Sequence, residues 1–205
     1  MTYNIKKYTS KTKFYNDIKE HYEEINPSAL GISGGSSLSI FDHIRPEFDT
    51  EIFLVDERFV SEVDINSNCM QARLKIMSNI NPWNVLIHND IEKCIQEYEN
   101  SLPYSFDLII LGVGSDGHTA SLFPNTKALD SKELCAHTQT DKFDVKDRLT
   151  LTYEGIKKAD NIFIVIINKP EVLRSIQDPS IDYKDFPIKK VINTQNPTIY
   201  YLEEN

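Results

Sequence analysis

Three polar segments of this chain combine residue types that can do chemistry. Gly112-Val113-Gly114-Ser115-Asp116-Gly117-His118 sets a carboxylate and an imidazole two residues apart on a glycine-loosened stretch. Histidine titrates near neutrality and can take a proton from water, while a nearby carboxylate can orient it and stabilise its charged form. The same residues would also make an Asx-type turn with His118 at a helix start. Ser33-Gly34-Gly35-Ser36 can turn backbone N–H groups towards an anion, with a following helix adding its N-terminal partial charge. It can equally be a tight strand-to-helix turn with a serine cap. It has neither the lysine of a P-loop nor the G-x-G-x-x-G spacing of a dinucleotide turn. Asp56-Glu57-Arg58 places one of five arginines (Arg45, Arg58, Arg73, Arg148, Arg174) beside two carboxylates. A planar guanidinium there suits bidentate recognition of phosphate or carboxylate, and a surface ion pair is the plainer use.

Position is what would bring the three together. Each begins where a short apolar run ends: Ala29–Ile32, Ile52–Val55 and Leu108–Leu111. In an open parallel sheet such ends share one edge, where ligands bind. Glycine usage marks the same places, since six of the 7 glycines are Gly31, Gly34, Gly35, Gly112, Gly114 and Gly117. Phe14, Ile18, Tyr22 and Ile25 keep helical spacing behind a Ser10 or Thr9 cap. Further helices are expected at Leu38, Ile40 and Phe41, over Asn66–Met77 with Ser67 as cap, and along Ile91, Ile95, Tyr98 and Leu102. Others are expected around Thr119–Phe123, from a Thr152 cap to Lys158, and over Glu171–Ile176. A helix at Thr119 would set its partial positive charge against His118 and favour a neutral, proton-accepting ring. Strands are expected at the three apolar runs and at Val85–Ile87, Cys135–His137, Arg148–Leu151, Ile162–Ile167 and Thr198–Leu202. Short apolar strands alternating with helices predict an α/β fold with a mostly parallel sheet. A length of 205 residues predicts one domain, spanning 1–205.

Charge narrows the partners. Lys plus Arg is 22 and Asp plus Glu is 31, for a net charge of -9. That balance argues against nucleic acid and anionic membrane, which both need a basic patch, yet leaves room for a small anion held by local cations. The longest uninterrupted apolar stretch, Ile162–Ile167, is far too short to span a bilayer. The opening MTYNIKKYTSKTKF lacks the apolar core of a secretory signal. Cys69, Cys94 and Cys135 are odd in number and widely spaced, so they read as reduced thiols of a cytoplasmic protein. His21, His43, His88 and His137 have no partners at ligand spacing; they read as solvated or core-edge residues, and no metal site is expected.

At these motifs the chain resembles the 6-phosphogluconolactonases, the second enzyme of the oxidative pentose phosphate pathway. SGGSSLSIF is similar to that family's first phosphate loop, and VDERFVSEVDINSN to its D-E-R segment and the S-N that follows. FDLIILGVGSDGHTASLFPNT matches the family signature almost residue for residue, and RLTLTYEGIKKADNIFIVI resembles its R-x-T-x-T strand–helix–strand unit. The resemblance implies a Rossmann-like sheet flanked by helices, as in the glucosamine-6-phosphate deaminase and ribose-5-phosphate isomerase group. It implies one substrate, 6-phosphogluconolactone, and no cofactor; a monomer and a homodimer both stay open. It also implies His118 as catalytic base with Asp116 and Asp56 nearby, and Ser33, Gly34, Gly35, Ser36, Arg58, Arg148 and Lys169 as substrate or phosphate contacts. Two places depart from the family pattern. Asn168-Lys169 follows the Ile162–Ile167 strand where glycine usually precedes the lysine, and Tyr200 and Glu203 stand for Trp and Asp. A glucosamine-6-phosphate deaminase shares the D-G-H loop but tends to have Tyr at the place of Arg58. A non-catalytic sugar-phosphate sensor would be expected to have lost His118 or gained a DNA-binding module.

Overall fold

The computed structural model describes residues 4–204. The chain opens with β1 (Asn4–Tyr8), α1 (Lys11–Ile25), β2 (Ala29–Ile32), β3 (Glu51–Leu54) and β4 (Asp56–Arg58). It continues through α2 (Asn68–Arg73), β5 (Asn79–Asn81), α3 (Val85–His88), α4 (Ile91–Ser101) and β6 (Leu108–Gly112). After β7 (Cys135–Gln139) and β8 (Asp147–Leu151) come α5 (Tyr153–Ile156), β9 (Ile162–Ile167), α6 (Pro170–Gln177), α7 (Ile188–Gln195) and β10 (Thr198–Leu202). Seven strands lie in the order β1-β10-β9-β6-β2-β3-β5, and β4-β8-β7 form a second sheet. Every pairing in the larger sheet is parallel and both pairings in the smaller are antiparallel. The expected α/β architecture is therefore present, with a small antiparallel sheet added to it.

Sequence explains the layering. The central strands β2, β6 and β9 are buried nearly end to end, as strands covered on both faces must be. Helix α1 buries Phe14, Tyr15, Ile18 and Tyr22 on one stripe; Ser10 caps its start by accepting from Lys13 N, and Asn26 ends it at φ 46. Under β3, Trp83 and Tyr98 stack at 3.8 Å and both donate to the Leu54 carbonyl. Among the described residues, no helix is long and apolar enough to cross a membrane.

The sheet order also shows where a site must be. From β2 the chain runs to β3 and β5 on one side, while β6, β9 and β10 lie on the other. The segments leaving the C-terminal ends of β2 and β6 therefore diverge, which opens a crevice between them.

Several expectations need correction. Val85–Ile87 is not a strand but one helical turn framed by Asn84 (φ 54) and Asn89 (φ 47), and it leaves Leu86 and Ile87 largely exposed. No helix forms at Thr119–Phe123. Ala120 sits at φ 49, and Ser121 N donates to Thr150 Oγ1 at 3.1 Å, which draws the backbone towards the smaller sheet. Leu38, Ile40 and Phe41 fall in a 3₁₀ helix, Gly35–Asp42. Both α2 and α5 are shorter than expected. Asp56–Arg58 is itself a strand, paired through β8.

Candidate active site

The crevice holds a cleft of about 310 Å³. Its walls include Ser33, Gly34, Gly35, Ser36, Asp56, Arg58, His118, Arg148 and Lys169. The remaining candidate, Asp116, stands behind His118. Convergence is thus at the predicted edge, from segments as far apart as residues 33 and 169.

The loop after β6 is shaped to present His118. Gly117 has φ +78, and a Cβ there would lie 2.3 Å from the Phe186 ring. A Cβ on Gly114 would come within 2.1 Å of His118 Nδ1. Gly114 N donates to His118 O at 2.9 Å, closing the loop on itself. Within it, His118 Nδ1 lies 2.5 Å from Asp116 Oδ1, and His118 N donates to the same oxygen at 3.1 Å. The other carboxylate oxygen, Oδ2, takes a salt bridge from Lys142. Partial burial pushes the Asp116 carboxyl up, but the hydrogen bonds from His118 and Lys142 outweigh it and hold the group well below the usual carboxylate range. An ionised Asp116 is acceptor-only, so Nδ1 donates to it, and in the neutral ring Nε2 is the acceptor. With no helix at Thr119, the side chain that orients the imidazole is a carboxylate and not a helix terminus.

Strand alternation sorts the D-E-R segment. Asp56 and Arg58 face the cleft, while Glu57 points the other way and is fully buried. Ser121 Oγ donates to Asp56 Oδ2 at 2.7 Å. Glu57 accepts from Arg58 N (2.7 Å), Ser67 Oγ (2.9 Å), Asn68 N (2.6 Å) and Cys69 N (2.8 Å), so it anchors the start of α2. Burial pushes its carboxyl up to about 7 against the pull of those four donors.

Arg58 lies directly opposite Arg148 across the β4–β8 pair. Like charges so placed repel unless an anion joins them. Burial lowers the Arg148 guanidinium from its ordinary value and Arg58 adds to the effect, with Asp56 and Glu57 opposing it. Lys169 reaches the same cleft. Asn168 takes φ 52, the left-handed conformation that asparagine tolerates best after glycine, and Lys169 Nζ donates to Val113 O at 2.6 Å. Asparagine thereby does the turning that a glycine would do at this point.

Several cleft residues were not assigned as site residues from the sequence, with Asn68 entering only within the S-N pair. Asn68 follows the Ser67 cap, donates from Nδ2 to Asp56 O at 2.8 Å, and lines the cleft. Ser121 and Phe143 line it too, and Phe143 sits in a charged stretch, DKFDVKD, whose spacing carries no signal. Three of the other four histidines have polar partners brought from elsewhere in the chain. His21 Nδ1 is 2.6 Å from the Tyr200 hydroxyl, His137 Nε2 is 2.7 Å from Asp147, and His88 pairs with Glu97. None of them lines the cleft.

Comparison with known proteins agrees with this geometry. Residues 9–200 match the model of a family described as glucosamine-6-phosphate isomerases/6-phosphogluconolactonase. The chain is 28% identical over 211 residues to a probable 6-phosphogluconolactonase of Dictyostelium discoideum, covering 92% of this chain and 89% of that one. It is 34% identical over 204 residues to the 6-phosphogluconolactonase of Synechocystis sp., covering 88% and 84%. The crystal structure of a 6-phosphogluconolactonase from Shewanella baltica superposes with a TM-score of 0.83 over 100% of this chain and 98% of that chain, at 23% identity, a likeness of fold. Similarity along nearly the whole chain, on the same sheet and with the signature loops meeting at its edge, places the protein: it belongs to the glucosamine-6-phosphate isomerase/6-phosphogluconolactonase family.

Proposed function

We propose that this chain hydrolyses 6-phospho-D-glucono-1,5-lactone to 6-phospho-D-gluconate, as the lactonase step of the oxidative pentose phosphate pathway. The observation that carries the reading is the Asp116–His118 pair, whose Nδ1 contact at 2.5 Å leaves Nε2 to accept a proton beside a cationic cleft. In this reading Nε2 takes a proton from water as the water attacks the C1 carbonyl. Asp116 stabilises the imidazolium that forms. The tetrahedral intermediate then expels the ring oxygen, which recovers the proton from Nε2, and the ring opens to the acid. Arg58, Arg148 and Lys169, with the backbone of Ser33–Ser36, hold the phosphate while the carbonyl is presented to His118. Asp56 borders the sugar with its Ser121 partner. No cofactor enters this chemistry, and the same reading takes the chain as one domain that acts in the cytoplasm on a small phosphorylated lactone.

The test is an assay on freshly generated 6-phosphogluconolactone with spontaneous hydrolysis subtracted. Turnover above background is the expected result. Absence of turnover, with ammonia released from glucosamine 6-phosphate, would overturn it in favour of the deaminase reading.

A further inference from the structure

Part of the cleft wall beside His118 is built by a segment that no motif marks. The loop between β7 and β8, residues 140–146, folds over the site and carries Phe143 into it. Phe143 lies with its ring centroid 6.1 Å from the His118 ring and 6.2 Å from Phe123. Phe123 is 4% exposed, so its surface is already used by the interior, whereas Phe143 remains 46% exposed. The other apolar side chains of the wall, Val113 and Ala120, are buried as well. Among the described residues of the lining, Phe143 is therefore the large apolar side chain with exposed surface.

That face is held in place. Lys142 pairs with Asp116, the Arg148 guanidinium lies 5.3 Å from the centre of the Phe143 ring, and Arg148 Nε donates to Val145 O at 3.0 Å. Thr140 N donates to Lys146 O at 3.1 Å and Lys142 N to Thr140 Oγ1 at 3.2 Å, which closes the turn. An aromatic ring fixed beside a base, with the Arg148 guanidinium against it and Arg58 paired opposite Arg148, suits a ligand of mixed character. A pyranoid ring is one: hydroxyls at its edge, a C–H face above and below, and a charged group on a side arm. Its C–H face can lie on the electron-rich ring while its polar edge meets the other walls.

We propose that Phe143 is a specificity-determining residue whose exposed ring seats the cyclic form of a phosphorylated sugar against His118. The proposal rests on the lactonase reading for the identity of the ring, but its test by binding does not need turnover. Calorimetry on the full chain would compare glucose 6-phosphate, a stable cyclic ligand, with open-chain 6-phosphogluconate and inorganic phosphate. Phe143→Ala should weaken glucose 6-phosphate by about tenfold and raise KM for the lactone alike, with inorganic phosphate and 6-phosphogluconate held within about twofold. Phe143→Tyr should restore the affinity for the cyclic ligand, and Phe143→Leu, which is apolar but has no π face, should not. Unchanged affinity in Phe143→Ala, an equal loss for all three ligands, or full rescue by Phe143→Leu would each overturn the proposal. A wild-type chain that binds glucose 6-phosphate without hydrolysing the lactone would instead refute the lactonase reading, and the binding comparison would still decide the role of Phe143.

Discussion

At the scale of single residues, the site depends on how His118 is held between a carboxylate and an open cleft. His118→Gln keeps the bulk and one hydrogen bond but cannot accept a proton. Its kcat should fall by a factor on the order of 10² to 10⁴ with KM little changed, because the proposed function assigns the phosphate to other side chains. Background-corrected kinetics beside a thermal melt is the measurement, and a folded variant that keeps more than about a tenth of kcat would place the base elsewhere. Asp116 gives a prediction with a sign. Its folded carboxyl lies below the ordinary carboxylate value, so its stabilising contribution is complete above about pH 4 and is lost as pH falls through the depressed value. Asp116→Asn has no such titration. The stability advantage of wild type over that variant in urea should therefore shrink as pH is lowered below about 4, and a constant gap would refute the assignment.

At the scale of elements, Glu57 decides whether α2 and Arg58 stay where the cleft needs them. Glu57→Ala would leave the donors of Ser67, Asn68 and Cys69 buried without an acceptor. At about 1–3 kcal/mol for each unsatisfied donor, the loss should be about 3 kcal/mol or more, read from urea unfolding, and a loss below about 1 kcal/mol would show that the anchor is dispensable. This residue also marks the limit of sequence reading. The parallel strands were legible because Ala29–Ile32, Leu108–Leu111 and Ile162–Ile167 are continuous apolar runs between breakers. Asp56–Arg58 was read as the polar end of a strand, since nothing local in three charged residues announces the pairing with β8 that makes them a strand. Edge strand β1, Asn4–Tyr8, contains two lysines and a single buried residue, so its periodicity is too weak to see. Val85–Ile87 shows the converse: a short apolar run fits a strand or a helical turn equally, and the flanking asparagines at positive φ chose the turn. The site was more legible than the fold around it, because His118, Asp116, Arg58 and the serine–glycine loop are chemically unusual for where they stand. Phe143 was not legible, since only the folded loop brings it to the cleft.

At the scale of the whole molecule, Val55 joins the two sheets through its backbone hydrogen bonds. Val55 N donates to Ile32 O at 2.9 Å in the larger sheet, and Val55 O accepts from Leu151 N at 2.7 Å in the smaller. Both layers should therefore unfold together. In native-state hydrogen exchange, the amides of Val55 and Leu151 should fall in the slowest class with those of β6 and β9, and separate exchange of the two sheets would refute this coupling. The junction bears also on how this molecule can change over generations. Side chains alternate along β4, so one residue added or removed between Leu54 and Asp56 would turn Glu57 into the cleft and hide Asp56 and Arg58 beneath it. Loops such as 140–146 can lengthen or shorten and thereby retune what the cleft accepts. The count of residues across Val55 has no such freedom: diversification of this scaffold is confined to its rim, and a length change at that single position would abolish the site in one step.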